Sequence, residues 1–133
     1  MTRISKLRFL VVEDHAFQRW HCCNVLRELG ANTVFPAADG YAALELLSDP
    51  NSPIDVVVTD LDMPEMDGMA LIRKLAERSL ATSLIIVTAM DRSLLATAEA
   101  MAQAYGVNFL GAIEKPVTTK SLRALLARQS KGR

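Results

Sequence analysis

The chain has 133 residues, half of them apolar, and its 15 basic residues are balanced by 15 acidic ones. This length predicts a single domain, residues 1–133, with a sizeable core, and the zero net charge argues against a nucleic-acid-binding surface. No apolar run approaches the roughly 20 residues that span a membrane, and the N-terminus lacks the apolar segment of a signal peptide.

Short apolar runs alternate with segments of helical periodicity along the chain. The first half contains a buried strand at Leu7–Val12 and then a helix that stops near Gly30. A weaker strand at 33–36 contains a proline, which suits the edge of a sheet. A second helix begins at Asp39 and closes near Pro50.

The second half repeats this alternation. Its three further strands are predicted at Ile54–Thr59, Ser83–Thr88 and Asn108–Ile113. Apolar residues at helical spacing follow each strand. Thr118 or Thr119 can cap the last helix, beyond which residues 129–133 are expected to fray or to begin a linker. Five strands alternating with five helices predict a doubly wound α/β fold around a parallel sheet, which binds ligands at the carboxyl ends of its strands.

The two cysteines, Cys22 and Cys23, are adjacent in the sequence. Neighbours in a helix do not form an ordinary disulfide, and neither cysteine has a metal-type spacing with His15 or His21. We interpret both as small hydrophobic residues on a helix. Without a disulfide, the chain is expected in a reducing, cytoplasmic location.

A carboxylate, Asp60, ends the third predicted strand. Hydrophobic packing cannot offset the free-energy cost of burying a carboxylate. Such a group is explained by a nearby cation, by hydrogen bonds or by a role in a reaction. The first strand is followed by Glu13 and Asp14, the fourth ends at Thr88, and the fifth leads to Lys115. Because parallel strands have their carboxyl ends at one edge of the sheet, these side chains can converge on one pocket.

Three converging carboxylates repel one another, and a hard divalent cation removes that conflict. Mg²⁺ prefers oxygen ligands and keeps several of its waters, so one or two carboxylates and a carbonyl suffice to hold it. We predict Asp14 and Asp60 as direct ligands of Mg²⁺, together with the backbone carbonyl of Leu61. Glu13 is predicted to act through water.

The same constellation suits the transfer of a phosphoryl group to a carboxylate. The transferred group carries charge on three oxygens. Mg²⁺ can bind one oxygen, the Lys115 ammonium a second, and Thr88 with a backbone N–H the third. Asp60 lies between the predicted metal and the lysine, and is therefore the predicted nucleophile.

The residues at the strand ends resemble, in order, the motifs of the receiver domain of two-component response regulators. They are Glu13-Asp14, Asp60 with Met63-Pro64 and Asp67-Gly68, Thr88-Ala89, and Lys115-Pro116. The resemblance covers nearly the whole chain. It implies a flavodoxin-like fold with strand order 2-1-3-4-5. It also implies that the Lys115–Pro116 peptide bond can adopt the cis form.

The resemblance also implies what the domain does. It implies Mg²⁺-dependent transfer of a phosphoryl group to Asp60 from a histidine kinase or a phosphotransfer protein. Apart from slow autodephosphorylation, no enzymatic turnover is implied. Whether the chain forms a homodimer stays open.

Two segments are similar to receivers that precede a cyclic-di-GMP phosphodiesterase (EAL) domain: residues 13–19 and Phe109-Leu110-Gly111. This likeness implies an output domain of that type, in the same chain or as a separate partner.

One position departs from the family pattern. Receivers commonly have an aromatic residue three positions before the lysine, and this chain has Ala112 there. Thr88 and the helix at 92–105 are the expected alternative route for the signal.

Two other functions stay open. Asp60-Leu61-Asp62 resembles the DxD motif of haloacid-dehalogenase-type phosphatases, which also form an aspartyl phosphate with Mg²⁺. In that family the nucleophile follows the first core strand, whereas Asp60 follows the third. The second alternative is a binding module that keeps the fold without being phosphorylated. The intact chemical residues argue against it, but Ala112 keeps it open.

Overall fold

The computed structural model describes residues 3–61, 68–77, 82–89 and 92–129. Within these ranges lie five strands, which are β1 (Arg8–Val12), β2 (Thr33–Ala37), β3 (Val56–Asp60), β4 (Ser83–Thr88) and β5 (Asn108–Glu114). The same described residues form five α-helices, which are α1 (Ala16–Glu28), α2 (Gly40–Leu47), α3 (Gly68–Glu77), α4 (Arg92–Tyr105) and α5 (Thr119–Leu126). A short 3₁₀ helix at Ile4–Lys6 precedes β1. Residues 62–67, which include Asp62, Met63-Pro64 and Asp67, lie outside the described residues.

The five strands form one parallel sheet in the order β2-β1-β3-β4-β5. This order confirms the predicted doubly wound fold. β2 lies at one edge of the sheet, where Pro36 removes a backbone N–H without breaking a second ladder. Among the described residues, no helix is long and apolar enough to cross a membrane.

Helices cover both faces of the sheet, and alternate residues of each strand therefore enter different core layers. In β1, Phe9 and Val11 pack with residues of α1 and α5, whereas Leu10 and Val12 pack with residues of α2, α3 and α4. All five residues of β3 are buried. Burial on both sides explains why these strands appear in the sequence as continuous apolar runs.

Side-chain caps begin two of the helices at the predicted positions. The Asp39 carboxylate accepts a hydrogen bond from the Ala42 N–H at 2.8 Å and begins α2. Thr118, one of the two predicted candidates, caps α5 through a reciprocal pair of hydrogen bonds with Ser121. These caps bind N–H groups that have no partner within the helix.

The prediction that the chain frays from residue 129 is wrong for Gln129. Its side chain is only 2% exposed, and its amide oxygen accepts a hydrogen bond from the Ser83 hydroxyl. Asn108 also donates to the Ser83 oxygen, at 2.8 Å. A polar residue near a chain end suggested solvent exposure, but β4 supplies the Ser83 hydroxyl as a partner that compensates its burial.

Strand β5 contains an irregularity close to α5. The register of the β4–β5 ladder shifts between Leu84 and Ile85, and Gly111 has a φ of 148°. A Cβ at Gly111 would lie 2.6 Å from Leu125 Cδ2. The Leu110 carbonyl accepts a hydrogen bond from the Arg128 guanidinium at 2.7 Å. Glycine at position 111 therefore lets α5 pack directly on β5.

Replacing Gly111 with alanine should lower the free energy of unfolding by about 2–3 kcal/mol, because the new methyl group overlaps the buried Leu125 side chain and the φ of 148° strains an alanine. Gly106→Ala is the matched control: Gly106 also has a positive φ, of 75°, but open space where a Cβ would lie. For Gly106→Ala we expect a loss of about 1 kcal/mol from backbone strain alone. Urea unfolding measures both values, and equal losses would contradict the tight contact between β5 and α5.

Candidate functional site

The sheet places four of the predicted site residues at the carboxyl ends of its strands. Glu13 directly follows β1, Asp60 ends β3, Thr88 ends β4, and Lys115 directly follows β5. The chain passes from β1 outward to β2 and then crosses to β3 on the other side, so the topological switch point lies between β1 and β3. Doubly wound sheets bind their ligands at this point, and Glu13 and Asp60 both lie there.

Three carboxylates meet at the switch point. One carboxylate oxygen from each of Glu13, Asp14 and Asp60 lies within 4.8 Å of the others. Glu13 and Asp60 are buried, at 5% and 6% exposed, while Asp14 is more accessible. The convergence that the strand ends predicted is therefore present.

The Lys115 ammonium lies between the two buried carboxylates. Its Nζ is 3.0 Å from Glu13 Oε1 and 3.1 Å from Asp60 Oδ2. A third acceptor is the side-chain oxygen of Gln18 in α1, at 2.7 Å. The sequence reasoning did not identify Gln18, because a lone glutamine in the first turn of a helix resembles a solvated surface residue.

The environment of this ion pair changes the pKa of two of its members. Burial raises the pKa of Glu13, and the nearby charge of Asp60 adds to this, although the hydrogen bonds from His15 and Lys115 act in the opposite direction. For Lys115, burial disfavours the charged form, but the hydrogen bonds to Glu13 and Asp60 outweigh it and raise the pKa. Lys115 is therefore an ammonium at neutral pH.

The Glu13 residue is held from several directions. Its Oε1 accepts from Lys115, and its Oε2 accepts from the backbone N–H of His15 at 3.0 Å. The Arg19 guanidinium donates to the backbone carbonyl of Glu13 at 2.8 Å. Both carboxylate oxygens of Glu13 therefore already have donors within the protein.

Strands β4 and β5 are joined at the site through Thr88. The Thr88 carbonyl accepts from the Lys115 N–H at 2.8 Å, and Thr88 itself is buried. The Lys115–Pro116 peptide bond is cis, as the family resemblance allowed. Ala112 is half-buried and packs on the face of the sheet that α2, α3 and α4 cover.

The donor set fits a hard divalent cation. The three carboxylates offer oxygen ligands, and together they carry more charge than the Lys115 ammonium that contacts Glu13 and Asp60. Leu61, whose backbone carbonyl was predicted as a further ligand, directly follows Asp60 and is 2% exposed. Cations of this class combine one or two carboxylates with carbonyl oxygens and water, and this edge of the sheet offers both oxygen types.

A largely apolar cavity of about 500 Å³ lies beside the carboxylates, between α1 and residues 115–117. His21 Nε2 is 2.8 Å from the Val117 carbonyl, and because a carbonyl only accepts, this nitrogen carries the proton. Phe17 also lines the cavity, and the ring of the exposed Trp20 lies 5.9 Å from the Phe17 ring. Cys22 lines the cavity as a buried thiol.

The chain matches the family model described as response regulator receiver domain over residues 9–127. It is 33% identical over 126 residues to the chemotaxis protein CheY-3 of Vibrio cholerae, covering 92% of this chain and 90% of that protein. It is 32% identical over 125 residues to the cyclic di-GMP phosphodiesterase RocR of Pseudomonas aeruginosa, covering 94% of this chain. The chain spans only 32% of the length of RocR.

A solved structure gives the same result for the fold. A response regulator from Colwellia psychrerythraea superposes with a TM-score of 0.77 at 28% identity, and the match covers 94% of this chain and 98% of that one. These comparisons confirm the resemblance that the motifs at the strand ends indicated. The match to RocR agrees with the finer likeness at residues 13–19 and 109–111.

The Cys22 thiol should react slowly with iodoacetamide in the folded protein. Burial raises the pKa of Cys22 to about 12, so the thiolate fraction at pH 8 is roughly a thousandfold lower than for an unfolded thiol with a pKa of about 8.5. The folded state holds this proton more tightly, so its contribution to stability is lost as the pH rises from about 8.5 towards 12.

Mass spectrometry of Cys23→Ser, with and without urea, measures the alkylation of Cys22 alone. The reverse variant, Cys22→Ser, is the matched control for the second buried thiol. Alkylation of native Cys22 at the rate of the urea-unfolded chain would contradict its burial beside the carboxylates.

Proposed function

Because the chain belongs to the family of response regulator receiver domains, we propose that Asp60 accepts a phosphoryl group from a histidine kinase or a phosphotransfer protein. The observation that carries this proposal is the contact of the Lys115 ammonium with both buried carboxylates. A cation held against Asp60 is positioned to stabilise the charge of a phosphoryl group bonded to it.

Mg²⁺ is the proposed cofactor. Asp14 and Asp60 would hold it directly, together with the Leu61 carbonyl. Glu13 would act through water, which is supported by the donors that its two carboxylate oxygens already have. When bound, Mg²⁺ supplies positive charge to the carboxylates and to one phosphoryl oxygen.

In the proposed step, an oxygen of the Asp60 carboxylate forms a bond to the phosphorus of the donor, and the bond from phosphorus to the leaving group breaks. Lys115 stays protonated and donates a hydrogen bond to one phosphoryl oxygen. The Thr88 hydroxyl is proposed to donate to another. Water later hydrolyses the aspartyl phosphate slowly, so the domain acts as a switch and not as an enzyme that turns over a separate substrate.

The output of the switch is proposed from the relatives. RocR is named as a cyclic di-GMP phosphodiesterase, and the chain spans about a third of it. We propose that residues 1–133 are a single receiver domain and that the output is a phosphodiesterase of this kind, in the same chain or as a partner. The two free thiols suit the reducing conditions of the cytoplasm, the proposed location.

A phosphorylation-independent binding module is the second candidate, and one observation favours it. Ala112 occupies the position where receivers commonly have an aromatic residue, so the usual readout of phosphorylation lacks its side chain. The phosphatase alternative has less support, because Asp60 ends β3 and not the first strand of the sheet.

Incubation with acetyl phosphate and Mg²⁺ should add one phosphoryl group to the wild-type chain and none to Asp60→Asn, as measured by intact-mass spectrometry. Asp49→Asn changes an exposed aspartate outside the carboxylate cluster and is the matched control. Failure of the wild type to take up phosphate from either acetyl phosphate or a cognate kinase would favour the binding module. Continuous hydrolysis of p-nitrophenyl phosphate would favour the phosphatase.

Mg²⁺ should stabilise the wild-type fold by roughly 1–3 kcal/mol at ten to a hundred times its Kd, because it binds the folded state. Asp14→Asn should lose most of this effect and, without Mg²⁺, should be more stable than the wild type, since it removes one of the three carboxylates. Urea unfolding with and without Mg²⁺ measures both effects. Equal stabilisation of Asp14→Asn and the wild type would contradict the proposed ligand set.

A further inference from the structure

Among the described residues, the Lys115 ammonium has one acceptor for each of its three N–H donors. Glu13 follows β1, Asp60 ends β3, and Gln18 lies in the first turn of α1. The Gln18 contact is the shortest of the three, at 2.7 Å. It is also the one whose acceptor is uncharged and exposed at the surface.

Two further hydrogen bonds hold helix α1 at the site, and both come from residues that follow Gln18 in the helix. The Arg19 guanidinium donates to the Glu13 carbonyl at 2.8 Å, and His21 donates to the Val117 carbonyl at 2.8 Å. Gln18 and His21 are three residues apart and therefore share one face of the helix. The segment from Lys115 to Val117 thus contacts α1 both before and after Pro116.

We propose that Gln18 is a positioning residue, which keeps the Lys115 ammonium in the site while its contact with Asp60 is exchanged for a contact with the phosphoryl group. This inference rests on the proposed function. When an Asp60 oxygen bonds to phosphorus, the negative charge moves from the carboxylate to the phosphoryl oxygens. Lys115 must then turn one N–H to the new oxygen, and only acceptors that do not change can hold its position.

Glu13 and Gln18 are the two acceptors that phosphorylation leaves unchanged. Glu13 approaches the ammonium from the end of β1, and Gln18 approaches it from α1. A lysine side chain is a flexible four-carbon chain, so one remaining contact leaves its end free to rotate about that contact. Two contacts from different elements restrict it to the side of the phosphoryl group.

Gln18→Met, which has a similar length but no acceptor, tests this role. We expect phosphate uptake from acetyl phosphate to be roughly fivefold slower than in the wild type, because a hydrogen bond to a charged group is lost. Gln103→Met makes the same change at an exposed position of α4 and should leave uptake unchanged. Urea unfolding checks that both variants fold like the wild type.

A second measurement needs no phosphate. In ¹⁵N NMR of the Lys115 ammonium, hydrogen exchange with water should be slow in the wild type and clearly faster in Gln18→Met. Gln18→Glu, which keeps the acceptor oxygen, should retain slow exchange. A merely structural glutamine would not separate these two variants.

The outcomes distinguish the inference from the function on which it rests. Faster ammonium exchange together with slower uptake in Gln18→Met supports the positioning role. Unchanged exchange, or faster exchange with normal uptake, overturns that role while the proposed function stands. If the wild type takes up no phosphate at all, the proposed function fails, and the positioning role fails with it.

Discussion

The ion pair between Lys115 and the two buried carboxylates is the interaction on which the site depends. Glu13 and Asp60 are both nearly inaccessible to water, and a buried pair of like charges raises the pKa of at least one member. A cation between them makes it possible to bury both. The same cation lies where the charge of a transferred group would develop, so the contact that stabilises the buried carboxylates also prepares the site for the proposed chemistry.

The fold brings these three charges together although they are far apart in the sequence. The residues lie 47 and 55 positions apart along the chain, but each follows or ends a strand of the same parallel sheet. Parallel strands align their carboxyl ends, and the reversal of strand order between β1 and β3 leaves room there for a ligand. Helix α1 completes the site. It supplies Gln18 as an acceptor for Lys115, and its His21 donates a hydrogen bond to the segment after Lys115.

The surroundings of the site depart from the usual residue pattern of the family at position 112. Ala112 has no large side chain to rearrange, and it lies on the face of the sheet away from α1 and α5. On the other face, β5 packs on α5 at Gly111, and the Leu110 carbonyl accepts a hydrogen bond from Arg128, which follows α5. Strand β5 leads directly to Lys115, so one strand connects the lysine to the residues that pack on α5.

Much of this architecture was readable in the sequence, because its signals are local. Continuous apolar runs identified the buried strands, and Asp39 and Thr118 marked helix starts through their own side-chain hydrogen bonds. The order of motifs at the strand ends identified the family and the residues of the proposed site. These features follow from periodicity and from the chemistry of residue types, which do not depend on distant parts of the chain.

Only the tertiary structure revealed the polar contacts that cross between elements. Gln18 resembles any exposed helical glutamine until the fold places Lys115 beside it. Gln129 resembles part of a frayed tail until β4 places the Ser83 hydroxyl beside it. The partner of a polar side chain is set by packing and strand register over long sequence separations, and no local pattern records it. The sequence therefore determined which groups are available for chemistry, and the tertiary structure decided which of them meet.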